Sequence, residues 1–122
     1  MKKLFTIITI LLVSFVYSQT AENYYDRGVS KNEVDDHKGA IQDYNKAIAL
    51  ESTFVLAYYN RGVSKNELGD YRGAIQDYNK AIELDNQYTV TYYNKDVSKK
   101  RLGNHKDVIL DYNRVIALGL VY

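Results

Sequence analysis

The side chains that could do chemistry in this sequence recur at regular spacing. Two histidines, His37 and His105, are separated by twice the spacing at which the carboxylates recur. The carboxylates repeat with a period of 34, as Glu33 with Glu67 and as Asp43 with Asp77 and Asp111. Imidazoles bind metals when they converge, and paired acids transfer protons. An internal repeat explains both patterns without chemistry, so we interpret the histidines as helix-packing residues and predict no catalytic or metal-binding residue.

Other catalytic and cofactor motifs are also missing from the sequence. It contains no cysteine and no glycine-rich phosphate loop, nucleophile elbow or metal motif. Its 16 basic and 15 acidic residues give a net charge of +1, whereas nucleic acid binding needs a basic stripe or patch. We therefore expect no enzymatic activity, no cofactor and no nucleic acid partner.

Residues 1–18 have the pattern of a secretory signal peptide. Met1-Lys2-Lys3 is positively charged, residues 4–16 are uncharged, and Ser18 is small. A helix of these uncharged residues rises about 20 Å, short of the roughly 30 Å hydrocarbon core. We predict cleavage between Ser18 and Gln19, export to the periplasm or the extracellular space, and no membrane span afterwards. An uncleaved anchor or a buried first helix is the alternative.

The remaining residues, 19–122, repeat with a period of 34. A shift by one period places Tyr24-Tyr25 on Tyr58-Tyr59, and a second shift places it on Tyr92-Tyr93. Residues 21–54 and 55–88 share 21 identities in 34 positions, and a third, more diverged copy covers about 89–122. A period of this length is the signature of a repeat architecture built from small helical or strand units.

Each period predicts two helices joined by a short turn. In the second period the helices should cover about 55–68 and 71–83, because apolar residues recur there at helical spacing. Gly69-Asp70 separates them: glycine suits the left-handed end of a helix, and aspartate caps the next one. Gly103-Asn104 repeats this turn, and Asp35-Asp36 replaces it in the first period.

The repeat resembles the tetratricopeptide-repeat (TPR) family. The best copy is residues 58–84, YYNRGVSKNELGDYRGAIQDYNKAIEL, whose Tyr58, Gly62, Ala74, Tyr78 and Ala81 take the family's signature positions. The resemblance implies an all-α fold, an α-solenoid of three helix-turn-helix hairpins following the signal peptide. Its small residues would let neighbouring helices approach closely.

Several residues depart from the family pattern. Arg61 and Lys65 stand where the family prefers a leucine and an aromatic residue, and no repeat ends in proline. In the third repeat Asp96 replaces the glycine, and Val108 and Val115 replace the two alanines. We therefore expect the third hairpin to pack less regularly than the others.

The resemblance also implies a binding groove, because TPR arrays accept peptides or helices against the first helices of successive hairpins. By position, the groove residues would be Tyr25, Val29, Asn32, Tyr59, Asn60, Val63, Asn66, Tyr93, Asn94, Val97 and Lys100, with Asp26 on the same wall. For Tyr25, Tyr59 and Tyr93 two interpretations stay open: recognition of a partner through a large side chain with a polar tip, or packing against neighbouring helices. The tyrosines aligned with Tyr24 and Tyr44 are predicted to be structural. Only Asn60 survives of the carboxylate clamp found in some TPR domains, so no such clamp is expected.

The C-terminal residues form an apolar series. Val115, Ile116, Leu118, Leu120 and Val121 are the candidate residues of a C-terminal interface. The last hairpin of an array exposes an apolar face unless something covers it. A second copy or a partner could cover this face, the sequence could be a piece of a longer array, or the hairpin could fray.

Two functions follow from this pattern. The leading hypothesis is an adaptor or scaffold, without enzymatic activity, that binds a peptide or helix of another protein in the cell envelope. The alternative is a structural module that self-associates or docks onto an assembly through the C-terminal hairpin. Fold analogy does not identify the partner.

Overall fold

A computed structural model describes residues 2–17, 20–103 and 105–119; for 11–17 and 105–109 it describes the backbone alone. These residues form seven α-helices: α1 (Lys2–Tyr17), α2 (Ala21–Glu33), α3 (His37–Leu50), α4 (Val55–Glu67), α5 (Tyr71–Leu84), α6 (Thr89–Leu102) and α7 (His105–Ala117). None of the described helices is long and apolar enough to cross a membrane. The predicted cleavage site Ser18–Gln19, the side chains of His105 and Val108, and the residues Leu120 and Val121 lie outside the described part.

Helices α2 to α7 form three hairpins, in which the first helices are α2, α4 and α6 and the second helices are α3, α5 and α7. Each first helix packs against its own second helix, and α3 and α5 each pack against the first helix of the next hairpin. The predicted α-solenoid of three helical hairpins is confirmed. The observed helices Val55–Glu67 and Tyr71–Leu84 each end within one position of the predicted bounds.

The turns inside the hairpins use the predicted residues. The carboxylates of Asp36 and Asp70 each accept a hydrogen bond from the backbone N–H of a glycine in the following first turn, at 3.0 Å, and so cap α3 and α5. Gly69 and Gly103 adopt φ values of 83° and 92°. Asp35 adopts φ 62° in the first hairpin, a left-handed conformation that costs a non-glycine residue about 1 kcal/mol.

Glycine and tyrosine determine how closely the two helices of a hairpin approach. A Cβ atom at Gly28 would lie 2.5 Å from the ring of Tyr44, and one at Gly62 would lie 2.6 Å from the ring of Tyr78. Both rings are buried, with 0% and 1% exposure, so they have no room to move away. Glycine is therefore required at these two positions by close packing against an aromatic ring.

The third hairpin lacks this packing. Asp96 takes the glycine position, and Tyr112, which aligns with Tyr44 and Tyr78, is 56% exposed. The prediction that Tyr112 is structural is therefore wrong. A ring cannot occupy the same site as a side chain at position 96, and within the described part no further hairpin covers this side of α7.

A buried aspartate accepts two cations in every hairpin, and we call each such group an ion cluster. Asp43 lies 2.8 Å from Lys31 and 3.6 Å from Arg27, and its side chain is 1% exposed. Lys95 and Lys99 pair with Asp111 in the third hairpin. In each case the cations come from the first helix and the aspartate from the second, so the cluster links the two helices.

The second ion cluster has the most complete geometry. The guanidinium of Arg61 donates to both carboxylate oxygens of Asp77, at 2.9 Å and 2.7 Å, and Lys65 lies 3.0 Å away. Arg61 also donates to Asn45 in the preceding hairpin, at 2.9 Å. Asp77 thus explains why Arg61 and Lys65 depart from the family pattern. The three residues form an ion cluster, whereas the family prefers a leucine and an aromatic residue at the positions of Arg61 and Lys65.

We predict that Asp77→Asn lowers the free energy of unfolding by about 2–4 kcal/mol, since it leaves two partly buried cations without their counter-charge. Urea unfolding followed by circular dichroism measures the change. The matched control is Glu83→Gln, which removes an exposed carboxylate that lies 3.4 Å from Lys80 and should change stability by less than about 0.5 kcal/mol. Equal effects of the two substitutions would show that the ion cluster does not hold the hairpin.

Candidate protein-binding groove

The three first helices lie side by side and form one wall of the molecule. α2 contacts α4 and α4 contacts α6, whereas the second helices α3 and α5 have no comparable contact with each other among the described residues. The array is therefore packed more closely on the side of the first helices. This asymmetry places α2, α4 and α6 on the inner side of the curve.

Hydrogen bonds between successive first helices repeat along this wall as two kinds of rung. In the first kind an asparagine amide donates to a tyrosine hydroxyl of the preceding hairpin: Asn60 to Tyr25 at 2.9 Å, and Asn94 to Tyr59 at 2.7 Å. In the second kind a serine hydroxyl donates to an asparagine side chain of the preceding hairpin: Ser64 to Asn32 at 3.1 Å, and Ser98 to Asn66 at 2.9 Å.

Tyr25 and Tyr59 serve packing and hydrogen bonding together. The ring of Tyr25 lies 6.0 Å from Tyr44 and 5.0 Å from Phe54, and the ring of Tyr59 lies 5.9 Å from Tyr78, between ring centres. Burial raises the pKa of both hydroxyls, and the asparagine amides lower it in part. The packing interpretation therefore describes these rings well, and a role in binding a partner stays a prediction.

The other predicted groove residues differ in how far they are available to a partner. Val29, Val63 and Val97 are partly exposed on the three first helices. Tyr93 is 66% exposed and Lys100 is exposed at the end of α6. Asn32, Asn60, Asn66 and Asn94 are half-buried and engaged in the rungs. The structure thus brings the predicted residues onto one wall, with their polar groups largely paired to one another.

His37 lies at the start of α3, beside the rung residue Asn32. Its Nδ1 contacts the side chain of Asn32, and its Nε2 lies 3.8 Å from Asp35. The imidazole is 16% exposed at the start of α3. Its position between two polar side chains of its own hairpin fits the interpretation as a helix-packing residue.

The candidate C-terminal interface requires one correction. Val115 is buried at 5% exposure, because it takes the position of Ala47 and Ala81, which face the inside of their hairpins. Ile116 and Leu118 are exposed at 53% and 43%. Two further residues of α7 that were not predicted, Leu110 and Tyr112, are exposed at 67% and 56%. The replacement of the repeat glycine by Asp96 is the sequence signal that could have indicated the exposure of Tyr112.

These features define an α-helical repeat protein whose first helices form one wall. Residues 55–88 match the family described as "Tetratricopeptide repeat", and residues 35–65 match the one described as "TPR repeat". The chain thus contains tetratricopeptide repeats. Comparison with curated proteins gives no significant match.

Solved structures with the same fold include proteins of different lengths. The chain superposes on MamA with a TM-score of 0.79 and 24% identity over 82% of its own length, and it spans 55% of the MamA chain. The second TPR of Spaghetti (RPAP3), bound to the HSP90 peptide SRMEEVD, gives 0.76 and 25% identity over 84% of this chain and 94% of that one. The second TPR domain of human RPAP3 was solved in complex with the HSP70 peptide SGPTIEEVD. It superposes with a TM-score of 0.76 and 26% identity over 80% of this chain and 82% of that one.

Asp96 is the titratable group most affected by its surroundings on α6. Its Oδ1 is buried and has no hydrogen-bond partner within the described part. Burial, followed by the charge of Asp111, raises the pKa of Asp96 to about 6, while Lys99 and Lys95 act in the opposite direction. The charged form of this carboxyl is therefore disfavoured by folding.

We predict that Asp96→Asn stabilises the protein at pH 7.5 and that the difference vanishes near pH 4. An aspartate whose pKa is raised in the folded state destabilises it increasingly as pH rises from about 4 to about 6. The gain should be about 1 kcal/mol, less than the pKa shift alone gives because Asp96 is partly exposed. Urea unfolding of both proteins at four pH values tests this. Glu83→Gln, which removes an exposed carboxylate on α5, controls for loss of a charge, and a gain independent of pH would contradict the prediction.

Proposed function

We propose that the protein is a non-enzymatic adaptor that binds a peptide or a helix of another protein along the wall formed by α2, α4 and α6. The observation that supports this most directly is the repeated pair of rungs, which holds the three first helices at fixed spacing. A wall that is already ordered loses little conformational entropy on binding, so more of the contact energy appears as affinity.

The contacts offered to a partner are chiefly apolar. Val29, Val63 and Val97 align on successive first helices and are partly exposed, and Tyr93 adds an exposed ring. An amphipathic helix or an extended segment with apolar side chains at matching intervals fits such a surface. The two RPAP3 domains, each solved with a bound peptide, support peptide binding by this fold.

Anchoring of a terminal carboxylate is not part of the proposal. The amide of Asn60, the one clamp residue retained, donates to Tyr25. Val90, at a position where a clamp would have a basic residue, is 49% exposed and apolar. The proposed partner is therefore recognised by internal apolar side chains and not by its chain end.

A site-specific photocross-linking experiment tests the proposed function. A photoreactive amino acid at Val63, in the centre of the wall, should cross-link a protein other than this chain in cells. The matched control places the same amino acid at Gln76, an exposed position on the second helix α5. Cross-links of equal yield at both positions, or cross-links at position 63 only to other copies of this chain, would overturn the proposal.

We also propose that the protein acts in the periplasm or outside the cell after export. The charge pattern of residues 1–18 supports this, and so does α1, a helix whose described side chains, Lys2 to Ile10, are exposed. An exposed apolar helix of this kind is suited to recognition by an export machinery.

Export is tested by the intact mass of the full-length gene product recovered from the envelope fraction of a bacterial host. We expect a chain that begins at Gln19. Ile8→Arg interrupts the apolar segment and should leave an uncleaved chain in the cytoplasm, whereas Asp26→Asn, beyond the cleavage site, should be processed normally. A wild-type protein that retains Met1 would refute cleavage.

A further inference from the structure

The outer side of the third hairpin matches surfaces that are covered elsewhere in the chain. We call this side, formed by Tyr93, Lys100, Tyr112 and Ile116, the C-terminal face. Tyr112 and Ile116 are exposed at 56% and 53%, whereas the tyrosines aligned with Tyr112, Tyr44 and Tyr78, are buried at 0% and 1%. In the first two hairpins the second helix that carries these positions packs against the first helix of the next hairpin.

The outer side of the first hairpin also exposes positions that are buried in the other two hairpins. We call this side, formed by Asn23, Tyr24, Asp26 and Ser30 on α2, the N-terminal face. Ser30 is exposed, while Ser64 and Ser98 at the same repeat position are both 0% exposed. Asn23 and Tyr24 are half-buried, whereas the aligned residues Ala57, Tyr58, Thr91 and Tyr92 are between 0% and 8% exposed. The two faces are thus the two halves of one interface, which occurs twice inside the chain.

The first and third hairpins, which carry the two faces, have net charges of opposite sign. The first hairpin region, residues 20–53, contains 4 basic and 7 acidic residues. The second, residues 54–87, contains 4 basic and 5 acidic residues, and the third, residues 88–121, contains 6 basic and 3 acidic residues. The net charge of the hairpins therefore rises from −3 through −1 to +3 along the array.

The same polarity appears at the rung positions. Asp26 stands on the N-terminal face where the internal junctions have Asn60 and Asn94. Lys100 stands on the C-terminal face where they have Asn32 and Asn66. At each face, one of the neutral rung residues is replaced by a charged one, and the two replacements have opposite signs.

We propose that copies of this chain associate head to tail, with the C-terminal face of one copy on the N-terminal face of the next. The junction repeats the internal one: the hydroxyl of Tyr93 donates to the carboxylate of Asp26 in the next copy. Lys100 donates to Ser30 of the next copy, one helical turn from Asp26. Because such an interface joins different faces, a stack of copies leaves one free face of each kind at its two ends and can extend from either end. The wall of first helices then continues across the junction, so the partner-binding surface of the proposed function stays accessible.

Charge reversal tests the junction in the full-length chain. The weight-average mass by light scattering should rise with concentration and fall with added salt. Asp26→Lys and Lys100→Asp should each weaken association by about three- to tenfold, because each places like charges opposite one another. A one-to-one mixture of the two variants should restore association, since each then meets its complement. Glu83→Lys, an equal charge change on the middle hairpin, is the matched control.

Cysteine cross-linking tests the direction of stacking, and the chain has no cysteine of its own. Internal junctions bring the serine and asparagine side chains of the second rung to 3.1 Å and 2.9 Å. A mixture of Ser30→Cys and Lys100→Cys chains should therefore form a disulfide-linked dimer on oxidation, and neither variant alone should do so. Circular dichroism of each variant confirms that it is folded.

Three results would overturn the proposal. In the first, the wild-type protein stays monomeric at all concentrations. In the second, the mixture of the two charge variants associates no more than either variant alone. In the third, the Lys100→Cys chain forms a disulfide-linked dimer by itself. The last indicates a symmetric dimer through the C-terminal face. These results do not affect cross-linking at Val63. The proposed binding of a partner to the wall and the proposed stacking can therefore be refuted independently.

Discussion

A buried carboxylate between two cations holds each hairpin of this protein together. Removing an aspartate and two basic side chains from water is costly, and only close pairing offsets that cost. Asp77 meets this condition through two hydrogen bonds from Arg61 and a third contact from Lys65. Because the cations belong to the first helix and the aspartate to the second, the pairing permits one register of the two helices. An apolar seam of leucine and aromatic residues would tolerate small sliding movements more readily.

The rest of the architecture depends on this register. When the first helix is fixed, Gly62 lies directly against the ring of Tyr78, which is buried as a result. Tyr59 then packs beside Tyr78 with its hydroxyl directed toward the next hairpin, where Asn94 donates to it. Ionic pairing within a hairpin thus leads, through a close glycine contact, to polar pairing between hairpins. The third hairpin keeps the ion cluster but loses the glycine, and there the following aromatic ring is exposed.

The period of 34, the capping aspartates and the small residues were sufficient to predict three hairpins and the helix bounds of the second one. These are local signals, read within one repeat. The ion clusters could not be predicted in this way, because Arg61 and Lys65 each looked like an isolated departure, and the aspartate that pairs with them lies on the other helix of the hairpin. Comparison of positions across the repeats would have shown that basic residues at both places always accompany Asp43, Asp77 and Asp111. The burial of Val115 and the exposure of Tyr112 depend on which neighbouring residues cover them. The position of a residue within the repeat does not determine this.

The rungs join only the first helices, while the second helices have no comparable link to one another within the described part of the chain. Their effect on the mechanics of the array is therefore one-sided. Bending that spreads the first helices apart must break two short polar contacts at every junction, whereas bending in the opposite sense strains none of them. Opening the inner surface of the array therefore costs two hydrogen bonds at every junction that opens, each worth about 1 kcal/mol. A wider partner must supply that free energy from its own contacts, whereas a partner that fits the resting curvature leaves the rungs intact.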